Sequence, residues 1–206
     1  MTDFESLWQQ ALSYEAFVAA GGQHRGLWEG IYRIVRLPDW AYQLVPPGTR
    51  RRLLVIAEDW CGDASSTIPI LARFADCVPG MELRLLRRDE HPALMDRYLT
   101  NGARSIPIVI VLDESFRELG HWGPRPAALQ AWVMENRPRV PKPELYPQIR
   151  KWYARDRGET TLREVSALFE RAGRPGSEAA EPLGAPAGND ERSDPPRGPA
   201  APPSHR

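Results

Sequence analysis

Residues 53–64 read Leu-Leu-Val-Ile-Ala-Glu-Asp-Trp-Cys-Gly-Asp-Ala. The apolar run Leu53–Ala57 is short and uninterrupted, the pattern of a strand buried on both faces. Glu58 and Asp59 stop it. Trp60, Cys61, Gly62 and Asp63 follow, and the small residues after them can open a helix. A cysteine at a strand-to-helix junction faces unpaired backbone N–H groups and the positive end of the helix dipole. That setting favours thiolate over thiol. Cys61 is therefore the candidate nucleophile, with Trp60, Gly62 and Asp63 around it.

Working outward, the flanking segments alternate between strand and helix. A helix is expected over 61–77, and a strand over 81–87, where Met81, Leu83 and Leu85 alternate with Glu82 and Arg84. Asp89 and Pro92 suit the start of a helix over 91–99, which Asn101-Gly102 breaks. Pro107 precedes the most apolar strand, Ile108–Leu112. A turn at Asp113-Glu114 leads to a strand over 116–121, and a helix follows over 126–136. The order β-α-β-α-β-β-α makes the first two strands parallel and the last two antiparallel. The implied class is α/β, a mixed four-stranded sheet with helices on both faces and extra N- and C-terminal helices.

The extensions read as helical. Residues 2–20 carry capping-box spacing (Thr2, Glu5) and apolar residues at helical period, from Phe4 to Val18. A second helix over 27–36 would turn Leu27, Ile31, Ile34 and Val35 inward. Pro46, Pro47 and Gly48 turn the chain into the central strand. After a proline-punctuated stretch at 138–143, helices are expected over 145–156 and 162–172, the latter with a Thr161/Glu164 capping box. The organisation is a helical extension (1–48) packed on the core, a central domain (50–137), C-terminal helices (138–172) and a tail (173–206). Pro, Gly, Ala, Ser and charge dominate the tail, so it buries too little to offset its ordering entropy and is expected to be disordered.

Composition narrows the function. The 206 residues carry 27 basic and 27 acidic side chains. That balance gives no electrostatic footprint for nucleic acid or an anionic membrane. No apolar run approaches the roughly 20 residues of a membrane span. The acidic start (Asp3, Glu5) is not a signal peptide. Two cysteines make no disulfide framework, so a reducing cytoplasm is the expected compartment. All basic residues but Lys142 and Lys151 are arginine, which fits a GC-rich, bacterial coding genome. The four histidines have no metal-ligand spacing.

The element order and four local features together resemble the thioredoxin family. They are the Trp60-Cys61 pair at a strand-to-helix turn, Pro69 inside the following helix, Ile106-Pro107 before the third strand, and Gly123 after the last. The strings Glu-Asp-Trp-Cys-Gly-Asp-Ala, Leu-Arg-Arg-Asp-Glu (86–90), Tyr-Leu-Thr-Asn-Gly-Ala-Arg-Ser-Ile-Pro (98–107) and Trp-Gly-Pro-Arg-Pro (122–126) are similar to a bacterial thioredoxin-like subfamily with a helical N-terminal extension. The resemblance covers about residues 50–137. It implies a thioredoxin fold, a cis-proline loop at Ile106-Pro107 facing Cys61, and a substrate groove formed with Trp60, Gly62, Asp63, Trp122 and Gly123.

Two departures limit what the resemblance carries over. Ala64 stands where the family's second active-site cysteine would be, and Val55 where it buries an acid. Cys77 cannot substitute: sixteen residues along one helix is roughly 24 Å, against the 7 Å or so that a disulfide spans between Cα atoms. It reads as a small buried helix residue. Asp59 and Asp63 would raise the Cys61 pKa, and Arg104 and Arg125 would offset them or pair with them.

The expected function is a single-cysteine thiol–disulfide oxidoreductase acting on protein or low-molecular-weight disulfides. It needs no bound cofactor; glutathione or another small thiol would serve as co-substrate. The alternative is a redox-inactive binding module that uses the groove beside Pro107. A third reading gives Cys61 to an iron–sulfur cluster or a regulatory thiol shared across a dimer. The sequence leaves the oligomeric state open.

Overall fold

The computed structural model describes residues 2–169; the expected disordered tail lies outside them. The sheet runs β2-β1-β3-β4. The central strand β1 (Arg51–Ala57) pairs in parallel with β2 (Met81–Arg87), Val55 opposite Leu85. On its other side it pairs antiparallel with β3 (Ile108–Leu112), Val55 opposite Val109. β4 (Glu118–Trp122) completes the sheet antiparallel to β3, with a bulge at Val111/Leu112. Leu53–Ala57 and Val109–Leu112 have no exposed surface, as uninterrupted apolar runs require. The mixed four-stranded α/β sheet, with its first two strands parallel and its last two antiparallel, agrees with the sequence reading.

The N-terminal segment does not form one helix. α1 (Phe4–Gln10) and α2 (Tyr14–Ala19) are separated at Leu12, whose N–H and C=O both pair with Leu85 at 2.9 Å. This bridge occupies the outer edge of β2, where backbone groups would otherwise lack partners. Asp3 rather than Thr2 caps α1, accepting the Ser6 N–H at 3.0 Å. α3 (Arg25–Ile34) turns Trp28 inward, 1% exposed, while Leu27 and Ile34 face out at 42% and 72%. Of the residues expected to face inward, Ile31 and Val35 do pack against the core, whereas Leu27 and Ile34 do not, and the indole of Trp28 takes the buried position.

α4 (Gly62–Cys77) crosses from β1 to β2 and carries Pro69 within it. Cys77, at its end, is half-buried rather than buried. A short 3₁₀ turn (Arg88–Glu90) leads to α5 (Pro92–Met95), which is shorter than expected.

Residues 126–157 form a separate compact unit. There α6 (Ala127–Asn136) and α7 (Lys142–Asp156) share their own apolar core, with Leu129, Trp132, Leu145 and Trp152 at its centre. The chain then returns to the first unit as α8 (Glu159–Ser166). Gly158 caps it with φ +82, and a Cβ there would lie 2.4 Å from Ile70 Cδ1. Only glycine tolerates both conditions. The expected capping box is absent: Thr161 Oγ1 is buried without a partner among the described residues, and Glu164 is drawn to Trp122. Phe4, Trp8, Phe17, Trp28, the sheet, α4, Leu162, Val165 and Phe169 belong to one apolar core.

Candidate functional site

β1 ends at Ala57, and the next four residues turn the chain so that the Cys61 N–H donates to the Glu58 carbonyl at 3.1 Å. Cys61 becomes the N-cap of α4, its carbonyl accepting the Ser65 N–H at 2.9 Å. The thiol points inward, 8% exposed, and donates to the Ile106 carbonyl at 3.4 Å. The Ile106–Pro107 peptide bond is cis. Cys61 and the Ile106-Pro107 loop, 45 residues apart in sequence, therefore meet as expected.

The ionisation of Cys61 goes against the sequence expectation. Burial, and then the nearby charge of Asp63, push the thiol up to about 11 from 9.0. The N–H groups of Asp63 and Ala64 and the charge of Arg125 act in the opposite direction. The helix N-terminus does favour the thiolate, but desolvation of the buried sulfur outweighs it. Ala64, one turn on, is fully buried.

Asp63 is largely buried, and Arg125 grips it with two hydrogen bonds, Nε to Oδ1 at 2.9 Å and Nη2 to Oδ2 at 2.6 Å. Planar bidentate pairing of this kind suits a partly desolvated site. Arg104 is placed elsewhere: its Nε and Nη2 hold both oxygens of Asp96, at 2.6 and 2.7 Å. Asp59 is also committed. Its Oδ2 accepts the N–H groups of Gly22 and Gln23, and those bonds with Arg87 hold its carboxyl below the usual range despite desolvation.

Trp60 is 41% exposed, with the Arg88 guanidinium 5.0 Å from its ring centre. Gly62 is exposed, and its carbonyl accepts the hydroxyls of Ser65 and Ser66. Trp122 is buried, its indole N–H held by Glu164 at 2.6 Å. Gly123 has φ +129, and a Cβ there would lie 2.1 Å from the Pro107 carbonyl oxygen. The glycine lets the end of β4 close on the Ile106-Pro107 loop.

Sequence reasoning placed none of Glu58, Arg87, Arg88 and Asp89 in the site. The Asp89 N–H donates to Glu58 Oε1 at 3.0 Å, and Arg87 lies 3.6 Å from Glu58 Oε2. The string at 86–90 carried the signal, but nothing local in it says that it braces residues 58–60. Among the described residues, no three His, Cys, Asp or Glu side chains are grouped to hold a metal. No helix among them is long and apolar enough to cross a membrane.

A family model described as thioredoxin matches residues 11–139. Two solved structures are similar to the chain. One is a protein of unknown function from Pseudomonas aeruginosa, 24% identical with a TM-score of 0.67, the match covering 84% of this chain and 100% of that one. The other is an HIV epitope-scaffold, also 24% identical, with a TM-score of 0.66 and the same coverage. At that identity the likeness concerns the fold. No curated protein matches the chain.

Proposed function

The chain belongs to the thioredoxin family, and on that premise we propose that it exchanges thiols and disulfides through Cys61 alone. The observation that carries the reading is the seat of the sulfur. Cys61 is the N-cap residue of α4, where the N–H groups of Asp63 and Ala64 favour its anion, and its sulfur lies 3.4 Å from the Ile106 carbonyl. Ala64 leaves no second thiol one turn on, so the chemistry is monothiol.

The Cys61 thiolate attacks one sulfur of a disulfide RS–SR′. The S–S bond breaks, R′S⁻ leaves, and a mixed disulfide Cys61–S–SR forms. A low-molecular-weight thiol such as glutathione, as its thiolate, then attacks the R sulfur and returns Cys61 as thiolate. The net result is transfer of RS from R′S to the external thiol. With the thiol pushed up to about 11, on the order of one molecule in ten thousand is thiolate at pH 7. Exchange is therefore slow in the resting protein. The reading places the protein in a reducing cytoplasm, with protein or small disulfides as substrates.

A second reading, a redox-inactive module that binds a partner beside Pro107, is favoured by the same burial and raised thiol. Incubation with oxidised glutathione at pH 9, followed by intact-mass measurement, separates the two. On a Cys77→Ser background, the exchange reading expects one adduct on the protein that keeps Cys61 and none on Cys61→Ser. Absence of that adduct overturns it and leaves the binding module, for which Cys61→Ala should capture the same partner unchanged.

A further inference from the structure

Asp59 stands two residues before the thiol, yet its contacts lead away from it. Oδ2 accepts two backbone N–H groups, from Gly22 and Gln23, each at 2.8 Å. Its own carbonyl accepts the indole N–H of Trp28 at 3.1 Å. Gly22 and Gln23 lie in the short loop between α2 and α3, and Trp28 on the first turns of α3. One residue of the active-site turn is thus tied by three hydrogen bonds to the N-terminal helices, more than 30 positions away in sequence.

The anchor is firm. Trp28 packs against Phe17 and Tyr14, with ring centres 5.4 and 6.1 Å away. The approach is also close: a Cβ on Gly21 would lie 3.0 Å from the Asp59 Cβ. Residues on either side of Asp59 are held from the end of β2, Glu58 by the Asp89 N–H and Trp60 by Arg88. The Cys61 N–H closes the turn onto Glu58. Two backbone N–H groups on one carboxylate are charge-assisted hydrogen bonds, about twice as strong as neutral ones.

We infer that Asp59 is a positioning residue for Cys61: the α2–α3 loop straps the 58–60 turn in place, and the strap keeps the thiol buried. Releasing it lets the turn open locally and hydrates the sulfur without unfolding the sheet. The inference deepens the thiol-exchange reading, on which it rests for its purpose. Its test does not depend on exchange.

The test is alkylation of Cys61 by iodoacetamide in the full chain, on a Cys77→Ser background so that one thiol reports. The rate is followed from pH 7 to 11.5 in Asp59, Asp59→Asn and Asp59→Ala proteins. Asp59→Ala is expected to react about tenfold faster at pH 8, since losing two such hydrogen bonds favours local opening. The midpoint of its pH–rate profile should fall from about 11 toward 9.0. Asp59→Asn removes the same charge, so the part of the fall in Asp59→Ala that exceeds the fall in Asp59→Asn reports the lost hydrogen bonds. Asp59→Asn keeps an acceptor oxygen and should fall between the two.

Wild-type rate and midpoint in a folded Asp59→Ala protein would overturn the inference. If that variant shows no cooperative melt, Asp59→Asn decides: about a threefold increase supports the strap, and a wild-type rate overturns it. Glutathione adducts are scored on separate, unalkylated samples of the same proteins. Faster alkylation with no adduct in any protein overturns the exchange reading and leaves the strap. Adducts throughout with unchanged alkylation do the reverse.

Discussion

At the residue scale, Cys61 is a balance between a helix terminus that favours its anion and a burial that opposes it. Burial wins, and this has a consequence for stability. The folded pKa, about 11, lies above the ordinary 9.0, so the fold prefers the protonated thiol. That contribution is fully present below pH 9 and is lost as the pH rises through 11. Two pH units correspond to about 2–3 kcal/mol. Urea melts at pH 8 and pH 11 should show the wild type losing roughly that much more stability than Cys61→Ala. Equal losses would mean that the sulfur is hydrated. The Asp63–Arg125 pair makes a second prediction. Arg125→Ala removes the bidentate partner of a mostly buried carboxylate and should cost about 2–3 kcal/mol in thermal or urea unfolding. It also removes a cation that lowers the Cys61 pKa, so the midpoint for alkylation should rise further. Asp63→Asn removes the charge that raises it, and the midpoint should fall.

At the scale of elements, α8 offers a test of how its first turn is built. Thr161 was expected to cap this helix, but its hydroxyl is buried without a partner among the described residues. Replacing a buried, unpaired hydroxyl by a methyl of similar shape removes a desolvation cost. Thr161→Val should therefore be neutral or stabilising by up to about 1 kcal/mol, measured as a shift in Tm. A true capping threonine would lose about that much instead. The contrast shows what was legible in sequence. Leu53–Ala57 and Ile108–Leu112 identified their strands because strands buried on both faces tolerate no polar residue. Cys61, Ile106-Pro107 and Gly123 were placed together by the resemblance of their motifs to the thioredoxin family. Helix ends and helix faces were less legible. Leu12 breaks the N-terminal helix to pair with Leu85, and Trp28 displaces Leu27 and Ile34 from the inward face. Both outcomes depend on partners distant in sequence. So do the attachments of Asp59 to Gly22 and of Asp63 to Arg125, 37 and 62 positions apart.

At the scale of the molecule, the first compact unit is discontinuous, formed among the described residues by 2–125 and 158–169. A chain ending at residue 157 would lack Leu162, Val165, Leu168 and Phe169, each 7% exposed or less, and the Glu164 partner of Trp122. Such losses exceed the usual margin of stability. This truncation should lose its cooperative thermal transition and bind a hydrophobic dye, whereas the full chain should melt in a single step for this unit. An isolated 50–137 fragment should also fail, because Phe4, Trp8, Phe17 and Trp28 share the same core.

The stacking of Phe169 on Phe74, with ring centres 6.3 Å apart, has a consequence in time as well as in space. A ribosome makes β1, α4 and Cys61 long before it reaches residue 169. Domains fold as units during synthesis, and this one is not complete until α8 and Phe169 have emerged. Until then the nascent chain carries its thiol without the finished core. Cys61 thus stays less sheltered from water for as long as the segment from α8 to Phe169 is still being made.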